Sequence, residues 1–545
     1  MPNFIKIASP MKKILLFSNL LVFISIAYSH QLQSSNLPII VLNTNGKAIL
    51  DDPKVMADMG IIYNGAGLSN NVLDAYNHYN GKVGIEIRGQ SSQQFPMKSY
   101  GFELWNSSGA SINKSLFGLA EESDWILYAP YNEKTLLHNF LAYTFSRQMG
   151  HWASNCRYVE LLLNGEYKGI YILMEKIKKS DERVNISKLK RTDISGDAVT
   201  GGYIFSIDKQ ANGWYSAYAA GQGSIQFSYV YPKKTNIVAA QKNYLKLYVD
   251  SFENALNSNT FQDKINGWRK FADENSFIDY FLVNEVSRNV DGYRLSSFFY
   301  KDKASKKGKI FAGPVWDYDL AFRNANYCNG SDTNGWSYQF NTICPADFWQ
   351  VPFWWNRLMN DTAFQNNLCC RWKLLRQTVF STANTNALID SVATLTAQAR
   401  ERHFKQWPVL GQYIWPNPLP IANSYEGELQ TLKTWLAARI GWLDKNLPNT
   451  GNCANFPVTI ETNFLIKNLP NPFNFNNNIS IQSAINQPIS ITITDILGRQ
   501  MHAKIVNVTA GYTTIPITIP YLTKGIYFLS FTNAAGQKIT KKMLQ

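Results

Sequence analysis

Histidine is scarce in this sequence: six in 545 residues, with no HExxH pair. That weakens any zinc-hydrolase reading, which needs two imidazoles one helical turn apart beside a glutamate. Cysteine is as rare, and Cys156, Cys328, Cys344, Cys369, Cys370 and Cys453 include no CxxC. The adjacent Cys369 and Cys370 do not reproduce that ligand spacing, so a metal reading is poor. No zinc-finger spacing or aromatic RNA-binding motif accompanies the net charge of +14, so no nucleic-acid partner is expected. Beyond the N-terminus no apolar run reaches membrane-spanning length, so no transmembrane segment is expected in the mature chain. No internal repeat is evident.

What the chain does hold is apolar and aromatic material, at 45% and 14% of residues. That is ample for large cores and argues against disorder. The length allows two to four domains. Basic residues come in short clusters, Lys176, Lys178 and Lys179, then Lys303, Lys306, Lys307 and Lys309, which read as solvated faces. At the N-terminus Lys12 and Lys13 precede "ILLFSNLLVFISIA", and Ala27 and Ser29 give a small-x-small cleavage site before His30. Residues 1–29 therefore read as a secretory signal peptide, begun at Met1 or Met11. Export to an oxidising compartment permits one to three disulfides. Cys328 and Cys344 bracket a polar loop and are the favoured pair.

From about residue 36 to 105 strands and turns are expected, with "GKVGIEIRG" placing Val83, Ile85 and Ile87 on one face. Residues 133–149 follow a helical period. "RYVELLLNGEYKGIYILMEKI" reads as a hairpin around Asn164-Gly165. Helices are expected over 240–290 and again over 351–447, broken by the loop "WPNPLP". "SSFFYKD" and "KIFAGPVWDYDL" read as two strands around a lysine-rich turn. Residues 448–464 read as a linker, and 465–545, where helical pattern gives way to strict alternation, as a small β-sandwich.

Four stretches carry possible chemistry. In "IRGQSSQQFPMK", Gly89, Ser91 and Ser92 expose N–H and hydroxyl groups that can hold phosphate oxygens, with Lys98 beyond them. An ordinary polar hairpin explains the same residues. Glu175 ends the apolar strand "YILME", where the chain could cross between lobes or simply leave an amphipathic strand. Asp291, in "NEVSRNVDGYRLSSFFY", stands at a helix-to-strand loop suited to a general base, although Asp-Gly is also a common turn. In "WDYDLAF", Asp317 and Asp319 would share a face on an extended strand and suit Mg²⁺. A paired-acid glycosidase reading is less suited, because its acid and base flank the scissile bond.

In order and spacing, "IEIRGQSSQQFPMKSYGFEL", "LNGEYKGIYILMEKI", "DGYRLSSFFYKD" and "AGPVWDYDLAF" resemble the CotH family, the spore-coat protein H group of atypical secreted kinases. The resemblance covers about 36–445 and implies an α+β fold: a divergent two-lobed kinase-like domain over 30–447, followed by the β-sandwich. It implies ATP with Mg²⁺ or Mn²⁺, and phosphate transfer to Ser or Thr of a secreted or surface protein substrate. Arg88, Gly89, Ser91 and Ser92 would form the nucleotide-facing turn, Lys98 would meet the phosphates and Glu175 would lie at the hinge. Asp291 would be the catalytic acid residue, and Asp317 or Asp319 the magnesium ligand. Active kinases carry a metal-binding Asn five residues after the catalytic Asp; here that ligand position is Ser296, and Arg323 replaces the Gly often found after "AF".

The tail from about 465, with "LPNPFNFNNNISI", "ITDILGRQ", "GIYFLSF" and "GQKITKKMLQ", resembles the C-terminal sorting domain of the type IX secretion system. That implies a type IX machinery as partner and an extracellular or outer-surface destination. A catalytically weak kinase-like surface protein acting in adhesion or matrix assembly is the competing expectation. A carbohydrate-active enzyme, drawing only on aromatics and secretion, is the third.

Overall fold

The computed structural model describes residues 32–209, 212–220, 223–448, 453, 464–468, 476–483, 486–509, 511–518, 525–533 and 536–544. The expected signal peptide and most of the expected linker lie outside the described residues. Seven strands close into a barrel: β1 Ile39–Asn43, β2 Val55–Ile62, β3 Tyr79–Arg88, β4 Ser99–Trp105, β5 Asp124–Tyr128, β6 Cys156–Leu163 and β7 Glu166–Glu175. Their order is β1-β2-β3-β4-β5-β7-β6, and β6 closes the ring by pairing parallel to β1. The expected hairpin forms: Asn164 and Gly165 take left-handed φ of 54° and 80°, as a two-residue hairpin turn requires.

Strand alternation explains why β7 is apolar on both faces. Tyr171 and Leu173 point into the barrel with Val83, Ile85 and Phe102. Ile170, Ile172 and Met174 point outward into a second core, shared with helix α1 (His138–Gln148). That second core also covers a five-stranded antiparallel sheet made of β8 Tyr203–Ile207, β9 Trp214–Ala220, β10 Gly223–Tyr231, β11 Ser297–Lys301 and β12 Ile310–Ala312, in the order β9-β10-β8-β11-β12. Around it lie α2 Ala239–Asn257, α3 Glu274–Ser287, α4 Thr362–Gln377, α5 Thr382–Gln406 and α6 Tyr425–Asn446. Helix α3 is buried almost all round, so its polar residues are paired: Asp279 with Arg371, and Glu285 with Arg439 at 2.9 Å.

The described C-terminal strands are all β. β13 Phe464–Asn468, β14 Asn476–Ser483, β15 Gln487–Asp495, β16 Gln500–Val508, β17 Gly511–Thr518, β18 Ile526–Asn533 and β19 Lys538–Leu544 form two sheets, β13-β14-β17 and β16-β15-β18-β19. One core joins them, with Ile479 and Ile481 from the first sheet meeting Ile491, Leu529 and Phe531 from the second. Cys328 and Cys344 form the expected disulfide, and a second joins Cys370 to Cys453. Cys156 and Cys369 are free and buried. Among the described residues no helix is long and apolar enough to cross a membrane.

Candidate active site

Where β3 ends at Arg88, the chain must reverse to begin β4 at Ser99. Gly89 makes this possible: its φ is 104°, and a Cβ there would lie 2.0 Å from Ser92 Oγ. A short 3₁₀ turn, Ser91–Gln94, follows. Arg88 and Ser99 are ladder partners, and with Gly89, Ser91 and Ser92 they line a cleft of about 600 Å³ between the barrel rim and the five-stranded sheet. Lys98, just before β4, does not line this cleft, and its Nζ donates to the Gln93 carbonyl at 2.6 Å. Arg88 is instead the barrel's cation there, 5.6 Å from the Trp316 ring centroid. Glu175 is also turned away. Its carboxylate accepts from Asn155 Nδ2 at 2.5 Å and lies 3.6 Å from Arg183 Nε, while the preceding Met174 lines the cleft.

On the far wall, α3 stops because Arg288 is left-handed (φ 46°). The loop that follows is organised by the buried Asn289. Its Oδ1 accepts the Asp291 N–H at 3.1 Å, and its Nδ2 lies 3.5 Å from the Asp317 carbonyl. Asp291 Oδ1 accepts from Arg294 Nη2 at 2.9 Å. Arg294 is itself fixed, packed 3.9 Å over the Phe340 ring and donating to the Val290 and Trp349 carbonyls. Ser296, also left-handed at φ 46°, points its hydroxyl at Asp317 Oδ2, 3.3 Å away.

The stretch expected as a strand through "WDYDL" is not one. β12 stops at Ala312, and Asp317 turns left-handed at φ 65°, a conformation Asp tolerates better than most residues. Side chains of α1 hold this loop. Tyr143 Oη accepts the Asp317 N–H at 3.1 Å, and Asn139 Oδ1 accepts the Tyr318 N–H at 2.8 Å. The Asp319 carbonyl accepts from Asn324 Nδ2 at 2.8 Å and lies 3.1 Å from His138 Nδ1. Asp317 and Asp319 both line the cleft, brought there by loop hydrogen bonds and not by strand alternation.

The cleft is acidic within a basic chain: Asp51, Asp52, Glu86, Asp208, Asp291, Asp317 and Asp319 against Arg88 and Lys209. Desolvation, then Asp291, raises Asp317 above the usual carboxylate range, with Arg88 opposing; its side chain stays open to water, which damps the effect. Asp319 is pushed well above that range by burial and then by Asp317 and Asp291. Burial lowers Arg88, opposed chiefly by Asp317. Among the described residues no three of His, Cys, Asp and Glu close on a single point. A cation here would draw further ligands from water or phosphate, which is the habit of Mg²⁺, and the hard carboxylate oxygens fit it. Asp208 and Lys209 were not singled out from sequence. The only signal is a charged pair directly after the apolar strand "YIFSI".

Residues 85–443 match the model of the CotH kinase protein family, about two-thirds of the chain. The chain belongs to the CotH family. No curated protein matches it. The CotH match takes in the Gly89 turn, both acidic loops and Asp208, leaving only Asp51 and Asp52 of the cleft carboxylates outside. Within the CotH domain, Arg323 sits at φ 81°, so this position favours glycine on backbone grounds alone. Its Nη2 donates to the Pro420 carbonyl at 2.8 Å. Residues 468–545 match a secretion-system C-terminal sorting domain, so the CotH domain is joined to an export signal and the protein is secreted or held at the cell surface.

Proposed function

We propose that this protein is a secreted or cell-surface atypical protein kinase that transfers the γ-phosphate of ATP to Ser or Thr hydroxyls of extracellular proteins. The observation that carries this reading is the convergence of Asp291, Asp317 and Asp319 on one cleft, opposite Arg88 and the Gly89 turn. The barrel and the sheet-and-helix body are read as the two lobes, over 30–447, with 448–464 a linker and 465–545 the module handled by a type IX machinery. Bound Mg²⁺ would neutralise the phosphate oxygens and hold the γ-phosphate in line.

Asp317 and Asp319 would ligate that ion, their loop pinned by Tyr143 and Asn139. Exposed N–H and hydroxyl groups of Gly89, Ser91 and Ser92 would meet phosphate oxygens, with Arg88 supplying the cation. Lys98 would act only if it left the Gln93 carbonyl, and Glu175 supports the hinge through Asn155 and Arg183. Asp291 would accept the substrate hydroxyl proton as that oxygen bonds to the γ-phosphorus and the bond to the β-phosphate oxygen breaks, releasing ADP.

The experiment is labelled-phosphate transfer from ATP by the purified protein with Mg²⁺ or Mn²⁺. Incorporation is expected, and Asp291→Ala and Asp317→Ala should each reduce it by at least about a hundredfold. Ser296 in place of the usual Asn favours a second reading, a weakly active or inactive surface protein of adhesion or matrix assembly. Nucleotide binding without transfer would select it. Absence of nucleotide binding would remove the kinase reading.

A further inference from the structure

Asp208 follows the end of β8, one residue past Ile207, which pairs with Ser297 across the β8–β11 ladder. That register sets Asp208 against Ser296, and the Ser296 N–H donates to the Asp208 carboxylate. The Lys209 N–H donates to Asp208 Oδ1 at 2.8 Å. Two backbone donors therefore orient the carboxylate at the mouth of the strand, where it lines the cleft. The side chain of Lys209 does not neutralise it, since that ammonium lies over the Trp349 ring, 5.0 Å from its centroid. The charged groups acting most on Asp208 are Asp317 and Asp291, both of its own sign.

A protein-kinase cleft holds its second cation with an amide oxygen from the catalytic loop. Ser296 offers only a short hydroxyl at that position, already directed at Asp317. Its cross-strand neighbour Asp208 brings a hard, anionic oxygen into the same space from another strand. We propose that Asp208 is a metal-ligating residue of the cleft, holding a second divalent cation in place of the asparagine oxygen that Ser296 lacks. This rests on the phosphotransfer reading above. It also gives the departure at Ser296 a compensating partner, 88 positions earlier in the chain.

The test uses the full-length protein, Mn²⁺ as probe and a non-hydrolysable imido analogue of ATP, counting bound ions by loss of the free Mn²⁺ paramagnetic signal. The wild type should bind about two Mn²⁺ per chain with the nucleotide. Asp208→Asn should bind about one and still bind the nucleotide. Asp208→Asn combined with Ser296→Asn should recover the second ion, because Asn tolerates the left-handed backbone at 296. Thermal unfolding in EDTA should show Asp208→Asn at least as stable as wild type, since a like-charge contact is removed. Retention of both ions by Asp208→Asn, with affinities within about twofold of wild type, would overturn the inference. A wild type that binds the nucleotide with one Mn²⁺ also overturns it while leaving the kinase reading intact, whereas a wild type that binds neither overturns both.

Discussion

Arg323 carries a φ of 81° that glycine would adopt freely, at a strain of about 1–2 kcal/mol. Its bond to the Pro420 carbonyl offsets part of that. Arg323→Gly, which removes strain and bond together, should change stability by less than about 1 kcal/mol, whereas Arg323→Ala keeps the strain, loses the bond and should lower it by about 1 kcal/mol. Urea unfolding of the two variants checks this. A second residue sets a pH dependence. Burial raises the carboxyl of Glu253 from 4.5 to about 7, and Trp354 Nε1 and Ser216 Oγ lie 2.9 and 2.8 Å from its Oε1. Holding a proton that the unfolded chain has already released, this group makes the fold lose stability as pH rises from about 4.5 to about 7. Glu253→Gln should therefore be stabilising by about 2–3 kcal/mol at pH 8 and nearly neutral at pH 4, by denaturant midpoint.

Helix α1 presents Asn139 and Tyr143 to the backbone of the acidic loop. Tyr143→Phe keeps the ring stacked on Trp316 and deletes only the hydroxyl that accepts the Asp317 N–H. Mg²⁺-nucleotide affinity should fall about tenfold, a loss near 1.4 kcal/mol, with little change in melting temperature; titration calorimetry reads the first and a thermal scan the second. Elements with a local signal were legible in the sequence. The β6–β7 hairpin was announced by Asn164-Gly165, and α1 by its apolar period. The acidic loop was legible in composition but not in conformation, because its left-handed turn is fixed by acceptors more than 170 residues away in the chain. Lys98 and Arg88 look equivalent in one dimension, and only the folded turn separates them, with Arg88 lining the cleft and Lys98 held by the Gln93 carbonyl. Asp208 was hidden because its neighbour Ser296 is set by a ladder that no short window contains.

At the scale of the molecule, a chain of net charge +14 concentrates carboxylates in one cleft, so the cleft is opposite in sign to the chain as a whole. The sulfur inventory is split as cleanly. Burial pushes the Cys156 thiol up to about 12, and Cys369 is only 3% exposed. Native protein should show no reaction with a thiol reagent on a scale of minutes, and denatured, unreduced protein should show two thiols per chain by absorbance titration. Cys370→Ser opens a ring of sequence separation 83 and should cost about 2–4 kcal/mol by denaturant unfolding.

That same disulfide is also a clasp between two helices. Helix α6 ends at Asn446, and seven positions later Cys453 is bonded back to Cys370 on α4. While the bond is oxidised, fraying of α6 from its C-terminal end cannot carry Cys453 away from α4, and reduction removes that restraint.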